Sequence, residues 1–169
     1  FLHTLQKNEA RMYPATRILM RLMLLTFVRT SELTETPWSE IDLENEQWVI
    51  PWQRMKMGKR KVNPRQVDHH IFLPPQGWTL LRELHQYTGG GRYLFPNQRN
   101  HEKPDSNGAI LAALKRLGYG GKHTGHGFRT LAKGIMKTLK HEKTNIERQL
   151  AHASGDVYGG SYDRESFLE

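Results

Sequence analysis

Apolar residues in this chain recur mostly with a helical beat, interrupted once by a stretch of shorter period. Between Ala15 and Val28, residues Ile18, Leu19, Leu22, Met23 and Leu25 form a broad apolar face behind Pro14. This predicts a buried helix that opens on the proline and delivers Arg29 at its end. Thr30 or Ser31 then caps a short helix, with Glu32 and Glu35 near its start, where carboxylates suit the positive end of the dipole. Beyond Trp38 the pattern shortens. Glu40 to Leu43, Gln47 to Trp52 and His69 to Leu73 read as strands, with Trp48, Val49 and Ile50 as strand formers and Pro51 marking a strand end or an edge.

The helical beat then resumes. Gln76 to Tyr87 carries Trp78, Leu81, Leu84 and His85 at helical spacing, and Gly89-Gly90-Gly91 stops it. Ser106 caps a helix running to Leu117, with Ile110, Leu111, Leu114 and Leu117 inward. His126 to Leu139 follows, with Phe128, Leu131, Ile135 and Leu139 expected inward. Thr144 or Asn145 caps a helix that buries Ile146 and Leu150 and delivers His152, and a last helical piece from Ser161 to Leu168 carries Tyr162. The expected fold is mainly α with a small antiparallel three-stranded β-sheet (α+β).

With 169 residues the chain is the size of one domain with a real core. Its formal charge of +8 favours a polyanionic partner, because summed positive charge steers association with phosphate backbones. It has no cysteine, which excludes disulfides, thiolate metal sites and cysteine nucleophiles. No apolar run reaches the roughly 18 residues of a membrane span, and Arg21 breaks the longest, Ile18 to Val28. The chain opens on Phe1 and is expected to be a piece of a longer protein.

The candidate chemistry centres on Thr124-Gly125-His126-Gly127-Phe128-Arg129. A histidine and an arginine three residues apart can share a helix face and converge on one anion. His152, and Tyr162 ten residues after it, bring a second imidazole and a phenol toward the same place, and Arg29 completes the set. Guanidinium groups stay charged and grip phosphate oxygens through a planar fork, imidazoles donate hydrogen bonds or handle protons near neutral pH, and clustered cations favour a phenolate nucleophile. The histidines do not gather into a metal site, and His69-His70 would point to opposite faces of a strand. Neither a metal ion nor ATP is expected, since the arginines neutralise phosphate and no Gly-rich Lys-Ser/Thr loop is present.

Thr26 to Leu33, Arg54-Met55-Lys56-Met57, His126-Gly127-Phe128-Arg129, and Glu147 to His152 with Tyr162-Asp163-Arg164 stand in an order that resembles the catalytic domain of the tyrosine recombinases, more narrowly the integrases of prophages and genomic islands. The resemblance implies the catalytic-core fold shared with type IB topoisomerases, with this chain as the single C-terminal catalytic domain of a longer integrase whose N-terminal DNA-binding domains lie elsewhere. It implies site-specific recombination through a 3′-phosphotyrosyl intermediate, with Tyr162 as nucleophile, Arg29, Arg129, His126 and His152 around the phosphate, and Lys56 as general acid. Lys59 and Lys61 are alternatives to Lys56, because the connection from Met57 to Asp68 is longer than the family's usual hairpin; Tyr158 is the rival nucleophile. Lys59, Arg60, Lys61 and Arg65 are candidate contacts to the DNA backbone. Implied partners are double-stranded attachment sites, three further copies in a tetramer on DNA, and accessory DNA-bending proteins, in the bacterial cytoplasm at the nucleoid. A topoisomerase-like enzyme and a DNA-binding module without catalysis remain the other readings.

Overall fold

Helix α2 (Pro14–Thr26) is the element the others pack around. The computed structural model describes residues 1–55 and 67–150, and within them Ile18, Leu19, Met20, Leu22 and Met23 of α2 are all buried. Burial on so many sides marks a central helix rather than a surface one. Proline sits in its first turn, where a missing N–H costs nothing. Arg21, the charge interrupting the apolar run, turns outward and grips both carboxylate oxygens of Glu9 at 2.6 and 2.8 Å. That pair ties α2 to the 3₁₀ turn Glu9–Arg11 and so to α1 (Leu2–Asn8), a helix the apolar pattern did not predict. Leu5 alone is fully buried there, too weak a signal for a periodicity argument.

Helix α2 ends at Phe27, whose φ of 53° is left-handed and reverses the chain into α3 (Thr30–Thr34). A 3₁₀ turn, Trp38–Glu40, leads to the sheet. Strands β1 (Ile41–Asp42), β2 (Gln47–Ile50) and β3 (His69–His70) pair antiparallel in the order β1-β2-β3, with Ile41 opposite Trp48 and Ile50 opposite His69. The sheet matches the expectation but its strands are shorter. Asp42 folds back to accept the N–H groups of Glu44 and Asn45, and Pro51 has no N–H to continue the ladder.

The next helix, α4 (Pro75–Thr88), buries Trp78, Leu81 and Leu84. His85 is a structural residue here, its ring edge-on to Trp38 at 4.9 Å. Trp38 in turn donates from Nε1 to Thr88 O at 3.0 Å, fixing the entrance of the sheet to the end of α4. Ser106 caps α5 (Asn107–Arg116) as expected, accepting from Gly108 N at 3.2 Å. Helices α6 (Gly125–Thr138) and α7 (Lys143–Gln149) complete the described elements, with Ile146 and Leu150 buried.

One expectation is corrected on α6. Phe128 is buried, but Leu131, Ile135 and Leu139 are 49%, 47% and 65% exposed, so their apolar stripe faces away from the core. The inward face is instead Phe128, Arg129 and Ala132. Leu111 of α5 is likewise half exposed. No helix among the described residues is long and apolar enough to cross a membrane. The proposed last helix, Ser161 to Leu168, lies outside the described residues.

Candidate active site

The reversal after α2 builds the first half of the site. Arg29 does not close α2; it occupies the cap position of α3, with extended backbone at φ −65° and ψ 145°. Glu32, three residues on, reaches back with both carboxylate oxygens. Oε2 accepts from the Arg29 backbone N–H at 3.1 Å, and Oε1 accepts from its Nη1 at 2.8 Å. This is half of a capping box, since a guanidinium has no acceptor to return the favour. Glu32 is only 2% exposed, so the arginine is held from the protein side by a carboxylate shielded from solvent.

Helix α6 brings the second half. Thr124 caps it, accepting from Gly127 N at 3.2 Å. Gly125 lies against α3 so closely that a Cβ there would stand 2.1 Å from Thr30 Cγ2. That contact sets Arg129 beside Arg29. Arg129 is 4% exposed; its Nη1 donates to Phe27 O at 2.6 Å and its Nη2 to Leu150 O. One guanidinium thus joins the end of α2, the body of α6 and the residue after α7. Burial, reinforced by the charge of Arg29, pushes the Arg129 guanidinium down to about 10, while Glu32 and Glu147 oppose the shift. It stays protonated at neutral pH, with the charge of Arg29 near enough to act on it.

Arg54, after β2, is a structural pin. It donates to Glu40 Oε1 at 2.6 Å and Oε2 at 2.5 Å, to Glu32 O at 2.7 Å and to Thr36 Oγ1 at 3.2 Å. Burial raises the Glu40 carboxyl, with the Arg54 hydrogen bond and charge opposing. The chain therefore leaves β2 from a fixed point. His126 is exposed in the first turn of α6, so it and Arg129 differ sharply in burial despite their spacing. His126 also stands on the rim of a largely apolar hollow of about 1030 Å³ along α6, whose lining includes His123, Leu131 and Ile135 but neither arginine.

The structure thus brings together Arg29 and Arg129 from opposite ends of the chain. Lys56, Lys59, Arg60, Lys61, Arg65, His152, Tyr158 and Tyr162 lie outside the described residues. Among the described residues no group of three or more His, Asp or Glu side chains could hold a metal ion. Sequence reasoning placed Glu32 only as a helix-start carboxylate and left Arg54 without a role of its own. The signal for the first was its position three residues after Arg29, the spacing of a reciprocal cap. His69 was set aside as half of a strand pair, although it feels the charges of Glu32, Arg129 and Arg29.

Comparison with known proteins agrees with this architecture. The model of the phage integrase family matches residues 1–167. The chain is 32% identical over 168 residues to prophage integrase IntA of Escherichia coli (strain K12), covering 99% of this chain and 38% of that protein. To the integrase of Enterobacteria phage P4 it is 35% identical over 154 residues, covering 87% of this chain and 35% of that one. The chain therefore spans well under half the length of these relatives. The crystal structure of XerA recombinase superposes with a TM-score of 0.66 at 18% identity, over 89% of this chain and 52% of that one. The Tn1549 transposon integrase, residues 82–397, in complex with circular intermediate DNA gives 0.65 at 14% identity, over 90% and 56%. At these identities the likeness shows the shared fold.

Proposed function

The chain belongs to the phage integrase family, and from that premise we propose that it is the catalytic domain of a longer integrase that breaks and rejoins DNA at specific sites. The observation that carries this reading is the pair of anchored guanidinia, Arg29 held by the solvent-shielded Glu32 and Arg129 held by the carbonyls of Phe27 and Leu150 and reached by the charge of Arg29. Attack on a phosphodiester builds charge on the non-bridging oxygens, so its catalysis rests on fixed cations and positioning. Two guanidinia held from behind by Glu32 and by backbone carbonyls are such a device, with no reorganisation needed when substrate arrives.

In this reading the Tyr162 phenol attacks phosphorus and the 5′ oxygen leaves with a proton from Lys56, or from Lys59 or Lys61. A 3′-phosphotyrosyl bond replaces the broken phosphodiester bond, conserving its energy without a cofactor. Attack by the 5′ hydroxyl of a partner strand reverses the step and exchanges the strands. His126 and His152 donate to the phosphate or handle the phenol proton, and Lys59, Arg60, Lys61 and Arg65 contact backbone phosphates. The assembly is a tetramer of full-length protein on double-stranded attachment sites, with accessory DNA-bending proteins as further partners, acting in the cytoplasm at the nucleoid. The named relatives are integrases and recombinases, which favours strand exchange over topoisomerase-like relaxation.

The test is a covalent bond. Full-length protein carrying this domain is incubated, without metal or ATP, with a duplex from its attachment site nicked near the cleavage point, and products are resolved under denaturing conditions. A protein-DNA adduct lost in Tyr162→Phe and kept in Tyr158→Phe is the expected result. Site binding without any adduct would leave a non-catalytic DNA-binding module.

A further inference from the structure

The chain leaves β2 through a turn that is tied down as far as Met55, the residue before Lys56. Within it Arg54 N donates to Pro51 O at 3.0 Å and Met55 N to Trp52 O at 3.2 Å, and the Met55 side chain is buried in the core. Trp52 N donates to Asp68 Oδ1 at 2.8 Å, which closes the base of the connection between β2 and β3. The Arg54 guanidinium then locks this turn to the helix that Arg29 caps. Its Nε and Nη2 take the two Glu40 oxygens side-on, Nη1 reaches the carbonyl of Glu32 in α3, and Nη2 also reaches Thr36 Oγ1.

Stability alone is a weak reason for such a device. A buried ion pair contributes little against apolar residues of similar volume, and its better attested use is to specify geometry. Arginine is suited to that use. Its donors lie in one rigid plane, so bonding to three residues at once fixes its orientation as well as its position, where a lysine ammonium could swing. Lys56 follows two residues after Arg54, so the fork sets where the segment bearing Lys56 departs relative to α3. A catalytic group misplaced by about 1 Å can lose about 100-fold in rate.

We propose that Arg54 is a positioning residue of the cleavage step: by fixing the turn after β2 against α3, it sets the general acid Lys56 relative to the phosphate held by Arg29 and Arg129. The proposal rests on the reading of the chain as a strand-transfer enzyme with Lys56 as its acid. In that step the Tyr162 oxygen bonds to phosphorus, the bond from phosphorus to the 5′ oxygen breaks, and a proton passes from Lys56 to that oxygen. Arg54 takes no part in these bond changes. It acts on the delivery of the proton.

The experiment is single-turnover adduct formation by full-length protein on the nicked duplex, and on the same duplex with sulfur in place of the scissile 5′ bridging oxygen. Thiols ionise far more readily than alcohols, so the sulfur leaves as a thiolate without a proton. A defect in acid catalysis therefore disappears on the sulfur duplex, and any other defect stays. Wild type is compared with Arg54→Lys, which keeps a cation beside Glu40 but not the planar fork, with Lys56→Ala, and with the double variant. Arg54→Lys should slow the ordinary duplex by about 10- to 100-fold and run at the wild-type rate on the sulfur duplex. The double variant should be no slower than Lys56→Ala alone, because two residues acting on one proton transfer do not add. Where Arg54→Lys does not fold, Glu40→Gln loosens the same fork from its other side and should show the same slowing and the same relief. No slowing of the ordinary duplex, a slowing that persists with sulfur, or a double variant slower than Lys56→Ala overturns the assignment and leaves Arg54 as a residue of the fold. Absence of an adduct with wild type on both duplexes is a different failure, which takes down the strand-transfer reading and this proposal with it.

Discussion

Replacing Glu32 with glutamine tests whether one buried carboxylate holds Arg29 in place. In the structure Glu32 accepts from the Arg29 backbone N–H and from Nη1, at 3.1 and 2.8 Å, and is shielded from solvent. Glutamine keeps one acceptor oxygen but puts an NH₂ where the second was, so one Arg29 donor faces another donor. A hydrogen bond involving a charged group contributes about 1.5–3 kcal/mol, and the remaining bond loses its charge assistance. Arg129, buried alongside, also loses a nearby negative charge that favours its protonated form. Glu32→Gln should therefore destabilise the domain by about 2–4 kcal/mol. For a domain of this size that lowers the melting temperature by about 4–16 °C. Thermal unfolding followed by circular dichroism measures it, and a double-mutant cycle with Arg29→Gln isolates the pair, with an expected coupling of about 1–2 kcal/mol. A shift below about 2 °C with no coupling would refute the claim that Glu32 anchors the site.

Arg54→Met leaves the Glu40 carboxylate buried without its cation and should cost about 3–5 kcal/mol near neutral pH. Because burial already raises the Glu40 carboxyl, acid should protonate it and narrow the deficit; urea midpoints at pH 5 and 7.5 check this. His69 is depressed to about 4 when folded against about 6.5 unfolded, so the unfolded chain binds more protons between those values. Its stabilising contribution is complete above about pH 6.5 and is lost as pH falls toward 4, by up to about 3 kcal/mol. Wild type should thus lose more stability on acidification than His69→Asn, and parallel urea titrations of the two from pH 7 to 4 would show that burial does not hold the His69 ring neutral. Gly125→Ala forces Cβ onto Thr30, for a loss of about 1–2 kcal/mol. Thr30→Ser, which removes the clashing methyl, should restore the melting temperature.

What could be read from the chain was mostly local. Pro14 and Ser106 mark helix starts through groups a few residues away, and each stands within a residue of the helix start it signalled. The antiparallel sheet was legible for the same reason, from strand formers on either side of a polar turn. The errors arose where the partner is distant. Leu131, Ile135 and Leu139 repeat at helical spacing, which defines a stripe but not which side of α6 meets the core. Arg129 shows the converse: a charge in an amphipathic helix reads as surface, yet it is buried because Phe27 O and Leu150 O, remote in sequence, accept its protons. Arg29 and Arg129 were paired by resemblance, and no spacing rule could have joined them.

If the proposed function holds, the remote contacts also explain how the same few groups would serve folding and chemistry. Arg129 joins the ends of α2 and α7 through carbonyls that would otherwise have been orphaned by the helix termini, so its position is set by backbone rather than by flexible side chains. Glu32 sets Arg29 through one backbone and one side-chain bond, so the carboxylate is fixed by the α3 cap and the guanidinium cannot swing away without losing its bond to Oε1. The charge of Arg29 disfavours that of Arg129, and in the proposed function relief of that repulsion would add to the binding of an incoming phosphate. Removing either arginine therefore has two opposed effects: it relieves charge repulsion in the empty site and breaks contacts between helix ends. A neutral replacement at Arg29 should lose strand cleavage with a smaller loss of stability, whereas one at Arg129 should lose both, because the Arg129 guanidinium binds carbonyls from two other segments. Equal stability losses at the two positions would mean that the helix ends are held together by apolar packing, with the Arg129 fork contributing little.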